Sequence, residues 1–294
     1  MKPAAFEYVR PNTVAEALTA LATYGGDAKV LAGGQSLVPM LNFRLLSPKI
    51  LVDINGIQDL DFIEEASDGG LRIGALTRHY SLMTAAVVRS RFPVLSEALR
   101  HVAHMAIRNR GTIGGSLSHA DPTAELPMMA VLLDATIRVA GAAGMREIAA
   151  REFFTGALTT ALGEGELLTQ VMVPRAIGSG WGFREFAIRA GDFALAAVGV
   201  VLDAAEGKAT DVRLAVTGVG ATPLRILDAE AALRGRAVQG TAIRTACAIV
   251  REAVQPPDDL HASSAYRRHL IGGLVSQALE DAWRRAQASA GKPT

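Results

Sequence analysis

The chain has 294 residues, 50% of them hydrophobic, a formal net charge of +1 and one cysteine; this is enough apolar content for two or three subdomains. Balanced charge without a basic cluster argues against a nucleic-acid partner, and Cys247 alone excludes an internal disulfide framework or a cysteine-ligated iron–sulfur cluster in this chain. No uncharged apolar run reaches the roughly 18 residues of a membrane span, and Met1 to Glu7 carries no signal-peptide run, so the expected location is the cytoplasm.

Taken in order, Thr13 and Glu16 have capping-box spacing, and Val14, Ala17, Leu18 and Leu21 repeat at helical intervals up to Gly25-Gly26. Lys29 to Ala32 reads as a short buried strand, Pro39 to Leu46 as a short helix and Ile50 to Ile54 as a second buried strand. Leu60–Glu65 and Leu71–Ala75 flank a Ser-Asp-Gly-Gly turn and form a hairpin. Thr77 caps a helix to about Val87, and Pro93 opens another to about Ala103. Asp121 as N-cap with Pro122 at the first helical position starts an apolar, buried helix to about Leu133, followed by a strand over Ala135–Ala140. Leu167–Val173 is a strand stopped by Pro174, and residues 178–180 form a linker. Strand-like runs follow at Phe183–Ile188, Ala194–Leu202 and Arg213–Val219. The remainder is helical, over Ile226–Leu233, Thr241–Val254 and Ser264 to about Ala288. Alternating elements followed by strands and then helices define an α+β class.

Two stretches stand apart: Leu31-Ala32-Gly33-Gly34-Gln35-Ser36-Leu37 and Thr112-Ile113-Gly114-Gly115-Ser116. Each sets a Gly-Gly pair among small polar residues at the end of an apolar run. Glycine lets the backbone approach a ligand closely and permits positive φ, so that successive N–H groups point one way and hold an anion. Two such stretches suggest a diphosphate gripped from both sides. The Rossmann fingerprint and the Walker phosphate loop are absent. Gly114 to Ser118 misses the nucleophile-elbow pattern, because Ser118 stands where its last glycine belongs. His101, His104 and His119 read as packing or surface residues rather than a metal site, since no H-E-x-x-H is present. His119 has the better claim to touch a ligand. Arg108 and Arg110 meet phosphate or are simply solvated; spacing leaves both readings open. Cys247 reads as a packed core thiol.

Residues 32–40 and 107–116, followed by His119-Ala120-Asp121-Pro122, resemble the two FAD signatures of molybdenum-hydroxylase flavoprotein subunits, the medium subunits of carbon monoxide dehydrogenase and xanthine-, nicotine- and quinoline-type enzymes. Further similar stretches lie at residues 73–79, 189–194, 218–223 and 264–270. The resemblance implies an FAD-binding fold of two subdomains, of the vanillyl-alcohol-oxidase/PCMH type, with a C-terminal subdomain of antiparallel sheet and helices. The corresponding segments are 1–55, 56–176 and 177–294. It implies FAD contacts from Leu31, Ala32, Gly33, Gly34, Gln35, Ser36, Leu37, Thr112, Gly114, Gly115, Ser116, His119, Asp121 and Glu125. Leu167 or Leu168 would lie near the isoalloxazine or adenine end, and Phe193 close to the flavin ring. It further implies no catalytic acid or base and no metal in this chain. The molybdenum cofactor sits in a large partner subunit and two [2Fe–2S] clusters in a small one, in a heterotrimer or its dimer. Electrons would pass from those clusters through FAD to an external acceptor. Gln35, where carbon monoxide enzymes carry histidine, leans the holoenzyme's substrate toward an N-heterocycle or aldehyde. Met105-Ala106 and Arg184 also depart from common family residues. The alternative is a stand-alone FAD oxidoreductase with its own substrate.

Overall fold

The computed structural model describes residues 2–290. The first unit comprises β1 (Glu7–Val9), α1 (Val14–Tyr24), β2 (Ala28–Leu31), α2 (Leu37–Asn42) and β3 (Ile50–Asp53). Its parallel sheet runs β1-β3-β2. β3 is buried at every position, as a continuously apolar central strand should be. Thr13 caps α1 as expected, its hydroxyl accepting the Glu16 N–H at 3.2 Å. Glu16 reaches back one residue further than a capping box, to the Asn12 N–H at 2.8 Å. Strand β1 leaves no mark in the sequence, because its three residues are largely exposed and carry no period-2 apolar signal.

The second unit holds β4 (Ile63–Glu65), β5 (Leu71–Gly74), α3 (His79–Thr84), α4 (Ala86–Arg91), α5 (Pro93–His101), α6 (Met105–Arg108), α7 (Ile113–His119) and α8 (Glu125–Leu132). It continues through β6 (Thr136–Gly141), β7 (Gly144–Ala149), α9 (Ala150–Phe153), β8 (Phe154–Gly156), β9 (Thr159–Thr160) and β10 (Leu167–Val173). An antiparallel sheet runs β4-β5-β10-β6-β7.

Several expectations fail here for local reasons. Thr77 caps no helix: its hydroxyl donates to the Phe62 carbonyl at 2.8 Å, and the expected single helix is two, broken at Ala85. Asp121 does not cap α8. Its carboxylate closes a turn on the Thr123 N–H (2.8 Å) and hydroxyl (2.6 Å), and α8 starts only at Glu125. β7 shows no periodicity in the sequence because it is a mostly exposed edge strand carrying Arg146 and Glu147.

The third unit is β11 (Gly180–Phe186), β12 (Ala196–Ala205), β13 (Lys208–Thr217) and β14 (Leu224–Arg225), an antiparallel sheet in chain order, with α10 (Leu227–Leu233), α11 (Gly240–Ala253) and α12 (Ser264–Ala290). The residue-180 end of the expected linker therefore already belongs to β11. Gly182 allows α12 to lie directly on the sheet: a Cβ there would stand 2.1 Å from the Ala278 carbonyl oxygen. Val198, Val200, Leu214 and Val216 pack on one side against α10–α12, including Cys247. Phe183, Ala197, Val201 and Ala215 pack on the other against the second unit. The expected α+β class holds.

Candidate functional site

The two glycine stretches meet. A Cβ on Gly33 would stand 2.4 Å from the Arg110 carbonyl oxygen and 2.8 Å from the Gly111 Cα, so the first loop lies against the backbone that leads into the second. Gly34 takes φ +72°, the left-handed region, and lets the chain turn from β2 into α2. Gln35 braces this turn by donating from Nε2 to the Gly33 carbonyl at 2.9 Å. Among the described residues, the N–H groups of Gly33, Gly34, Gln35, Ser36 and Leu37 donate to no acceptor in the chain. Successive unsatisfied amides around a left-handed glycine form a concavity suited to an oxyanion.

The second stretch is built differently. Its glycines lie in the first turn of α7, which Thr112 caps by accepting the Gly115 N–H at 3.1 Å. Ile113 donates to the Thr77 carbonyl (3.1 Å), Gly114 to that of Ala75 (2.9 Å) and Ser116 to that of Thr112 (3.0 Å). These amides are occupied, so this stretch is a wall behind the first loop, offering the half-buried Ser116 hydroxyl. Gly114 is required by packing: a Cβ would stand 2.8 Å from the Ala75 carbonyl oxygen.

His79 and Arg78, flagged only by their place in a similar stretch, hold this wall. Buried His79 donates from Nε2 to the Thr112 carbonyl (2.9 Å); burial pushes its pKa down to about 4, so the ring is neutral and its other nitrogen has no partner. Arg78 donates to the Arg110 carbonyl (2.6 Å) and to Asn55 Oδ1 (2.7 Å). Arg108 folds back on the Val102 and Ala103 carbonyls, both at 2.8 Å.

A second constellation joins the last two units. The Gly218 N–H and the Thr217 hydroxyl donate to the Pro122 carbonyl at 2.9 and 2.7 Å, just after Asp121. Arg267, 3% exposed, donates to the carbonyls of Leu195 (2.6 Å) and Gly218 (3.1 Å) and pairs with Asp259 (2.7 Å). The segment between β11 and β12 leans on the turn before α6, because a Cβ on Gly191 would stand 2.7 Å from the His104 ring. Phe193, 71% exposed, is displayed on this segment. Leu167 and Leu168 are buried on β10 and pack into different cores. Arg184 pairs with Asp281 on α12. His119 ends α7, half-buried. No group of three or more metal-ligating side chains gathers among the described residues.

At the foot of α8, Glu125 is buried, and burial followed by the nearby Glu185 charge raises its pKa to about 8. His101 lies between Glu185 (3.7 Å) and Glu97 (3.9 Å), and these carboxylates raise it to about 9. Asp121 and Arg100 add smaller fields at Glu125 and Glu97 respectively. Both raised groups hold protons in the folded chain that the unfolded chain has released. Stability therefore falls as pH rises from about 4.5 to about 8 for Glu125, and from about 6.5 to about 9 for His101. His79, held near 4 in the folded chain, gives the opposite slope up to about pH 6.5, so the thermal midpoint is expected to stay level to about pH 6.5 and to drop from there to pH 9, with Glu125→Gln making the fall between about pH 6.5 and 8 shallower. A midpoint that climbs over this range contradicts the assignment.

An amide-lined loop backed by a second glycine stretch, on an α+β scaffold, defines a protein built to hold an anionic ligand such as a dinucleotide. Residues 4–176 match the family model for the FAD binding domain in molybdopterin dehydrogenase, and residues 181–282 that for the CO dehydrogenase flavoprotein C-terminal domain. The chain is 42% identical to the 6-hydroxypseudooxynicotine dehydrogenase complex subunit alpha of Paenarthrobacter nicotinovorans, over 98% of this chain and 97% of that one. It is 37% identical to the glyceraldehyde dehydrogenase medium chain of Sulfolobus acidocaldarius, over 96% and 99%. Its structure superposes on the carbon monoxide dehydrogenase from Hydrogenophaga pseudoflava that lacks the Mo-pyranopterin moiety. That match has a TM-score of 0.94 and 38% identity, covering 97% of this chain and 99% of that one. The chain belongs to the FAD-binding medium-subunit family of molybdenum hydroxylases, an oxidoreductase family.

Proposed function

We propose that this chain is the FAD-binding electron-transfer subunit of a molybdenum-containing hydroxylase or dehydrogenase. The observation that carries the reading is the run of unsatisfied N–H groups from Gly33 to Leu37, set against a second glycine stretch that no side chain could separate from it without a clash. When bound, FAD supplies electron transfer between the [2Fe–2S] clusters of a small partner subunit and an external acceptor. The chain's own residues bind and orient it. Leu31 to Leu37 enclose the diphosphate, with Thr112, Gly114, Gly115 and Ser116 as the backing wall. His119, Asp121 and Glu125 supply polar contacts to the FAD, and Phe193 lies close to the flavin ring. Leu167 or Leu168 lies near the isoalloxazine or adenine end.

The segments 1–55, 56–176 and 177–294 serve as the two FAD-binding subdomains and the C-terminal one. Separate sheets in each support that division. The large molybdenum-cofactor subunit and the iron–sulfur subunit complete a heterotrimer or its dimer in the cytoplasm. The holoenzyme's substrate is an N-heterocycle, aldehyde or similar small molecule. Relatives are named for 6-hydroxypseudooxynicotine, glyceraldehyde and carbon monoxide.

The test is the visible spectrum of the chain, purified alone and with co-expressed partners. FAD near one per chain, released on denaturation, with no iron or molybdenum in the isolated chain, is the expected result. Substrate-dependent dye reduction by the chain alone would overturn the electron-transfer assignment in favour of a stand-alone oxidoreductase.

A further inference from the structure

Asn55 follows β3 in a tight turn, where Asp53 accepts its backbone N–H at 2.9 Å and its Nδ2 at 2.6 Å. The same Nδ2 donates to the Ala32 carbonyl at 2.8 Å, the residue before the free amides. On its other side, Asn55 Oδ1 accepts Arg78 Nη2 at 2.7 Å. Arg78 then donates from Nη1 to the Arg110 carbonyl at 2.6 Å. That oxygen is the one a Cβ on Gly33 would strike. An unbroken path of hydrogen bonds therefore runs from the first loop through Asn55 and Arg78 to the chain entering the second stretch. The asparagine amide fits in only one sense, with its donors toward carbonyls and its acceptor toward the guanidinium. Among the described residues, no carboxylate oxygen comes within 4.0 Å of Arg78, although it is half-buried. Its cation is spent on neutral oxygens at the seam of a site meant for an anion.

We infer that Asn55 and Arg78 are positioning residues for the bound dinucleotide, fixing the spacing between the two glycine stretches and holding a guanidinium without a direct ion pair at their seam. The inference rests on the FAD reading above. It adds two side chains whose contribution is made through the loops.

The experiment uses the full chain stripped of flavin and titrated with FAD, following flavin fluorescence, with the thermal midpoint of each flavin-free variant measured in parallel. Asn55→Ala and Arg78→Met are each expected to weaken FAD binding about tenfold or more, the scale of a lost charge-assisted hydrogen bond. The double variant should be no weaker than the worse single one, because each substitution breaks the same path. Arg78→Lys retains charge and stem but cannot reach both acceptors, and about threefold weaker binding is expected. It decides the matter if Arg78→Met does not fold. FAD affinity within about twofold of wild type in folded Arg78→Met, or in Arg78→Lys, would overturn the inference. So would a double variant whose loss is the product of the single losses, since that is the signature of independent structural damage. If the wild-type chain itself takes up no FAD, alone or with its partners, the FAD reading fails instead.

Discussion

Gly33→Val is expected to abolish FAD retention. Its Cβ would lie 2.4 Å from the Arg110 carbonyl oxygen and 2.8 Å from the Gly111 Cα, and both contacts are backbone, which cannot rotate away as a side chain would. The loops must separate. The Arg110 carbonyl is already held by Arg78, so separation also strains that bond. Affinity should fall by more than about a hundredfold, equivalent to roughly 3 kcal/mol. The ratio of flavin to protein absorbance in the purified variant measures it directly. Gly115→Val should be milder. Its Cβ would meet the Thr112 hydroxyl at 2.8 Å and otherwise only the Ala32 Cβ at 3.8 Å. Loss of the Thr112 cap costs about 1 kcal/mol. Gly114→Val should resemble Gly33→Val, because the Ala75 backbone lies across from it. A Gly33→Val chain with full flavin content would place the dinucleotide elsewhere.

This ranking shows where sequence reading of the site ends. Both Gly-Gly pairs stand out because glycine beside small polar residues at the end of an apolar run is a local pattern. That one pair leaves its amides free while the other spends them within the chain is not local. Gly115 is held by Thr112 three residues before it, but Gly114 needs Ala75 lying opposite α7, which follows from the sheet. For the same reason α7 is a helix despite two consecutive glycines: a Thr112 cap and tertiary packing outweigh propensity. Arg78 sits in a recognisable stretch, yet its role needs Asn55, 23 residues earlier, and Arg110, 32 later. Arg267 makes the point more sharply, since its carbonyl partners lie 72 and 49 residues away. The α+β class and most buried helices and strands were legible because burial imposes periodicity. Exposed β1 and β7 were not, having almost no buried face to show.

The largest loss of stability is expected from Glu230→Ala, in the third unit and away from the glycine loops. Glu230 is fully buried on α10. It accepts the Leu214 N–H at 2.8 Å, Arg225 Nε at 2.6 Å and Arg225 Nη2 at 2.9 Å, with Arg234 at 3.4 Å. Arg225, itself 9% exposed at its side chain, also donates to Asp134 at 2.7 Å on the turn between α8 and β6. Two carboxylates thus hold one buried guanidinium between the second and third units. Truncating Glu230 leaves Arg225 with only the partly exposed Asp134 and leaves a central-sheet N–H without an acceptor. Removing one partner of a buried ion pair costs about 3–5 kcal/mol. Glu230→Gln keeps an acceptor for Leu214 but not the charge, and should cost less. Asp134→Ala should cost less again, since that carboxylate is a third exposed and water can replace it. Urea unfolding of the three variants, read from the transition midpoint at constant slope, gives the order directly. If Glu230→Ala is no less stable than Asp134→Ala, the Glu230–Arg225 pair is not what fastens α10 to the sheet.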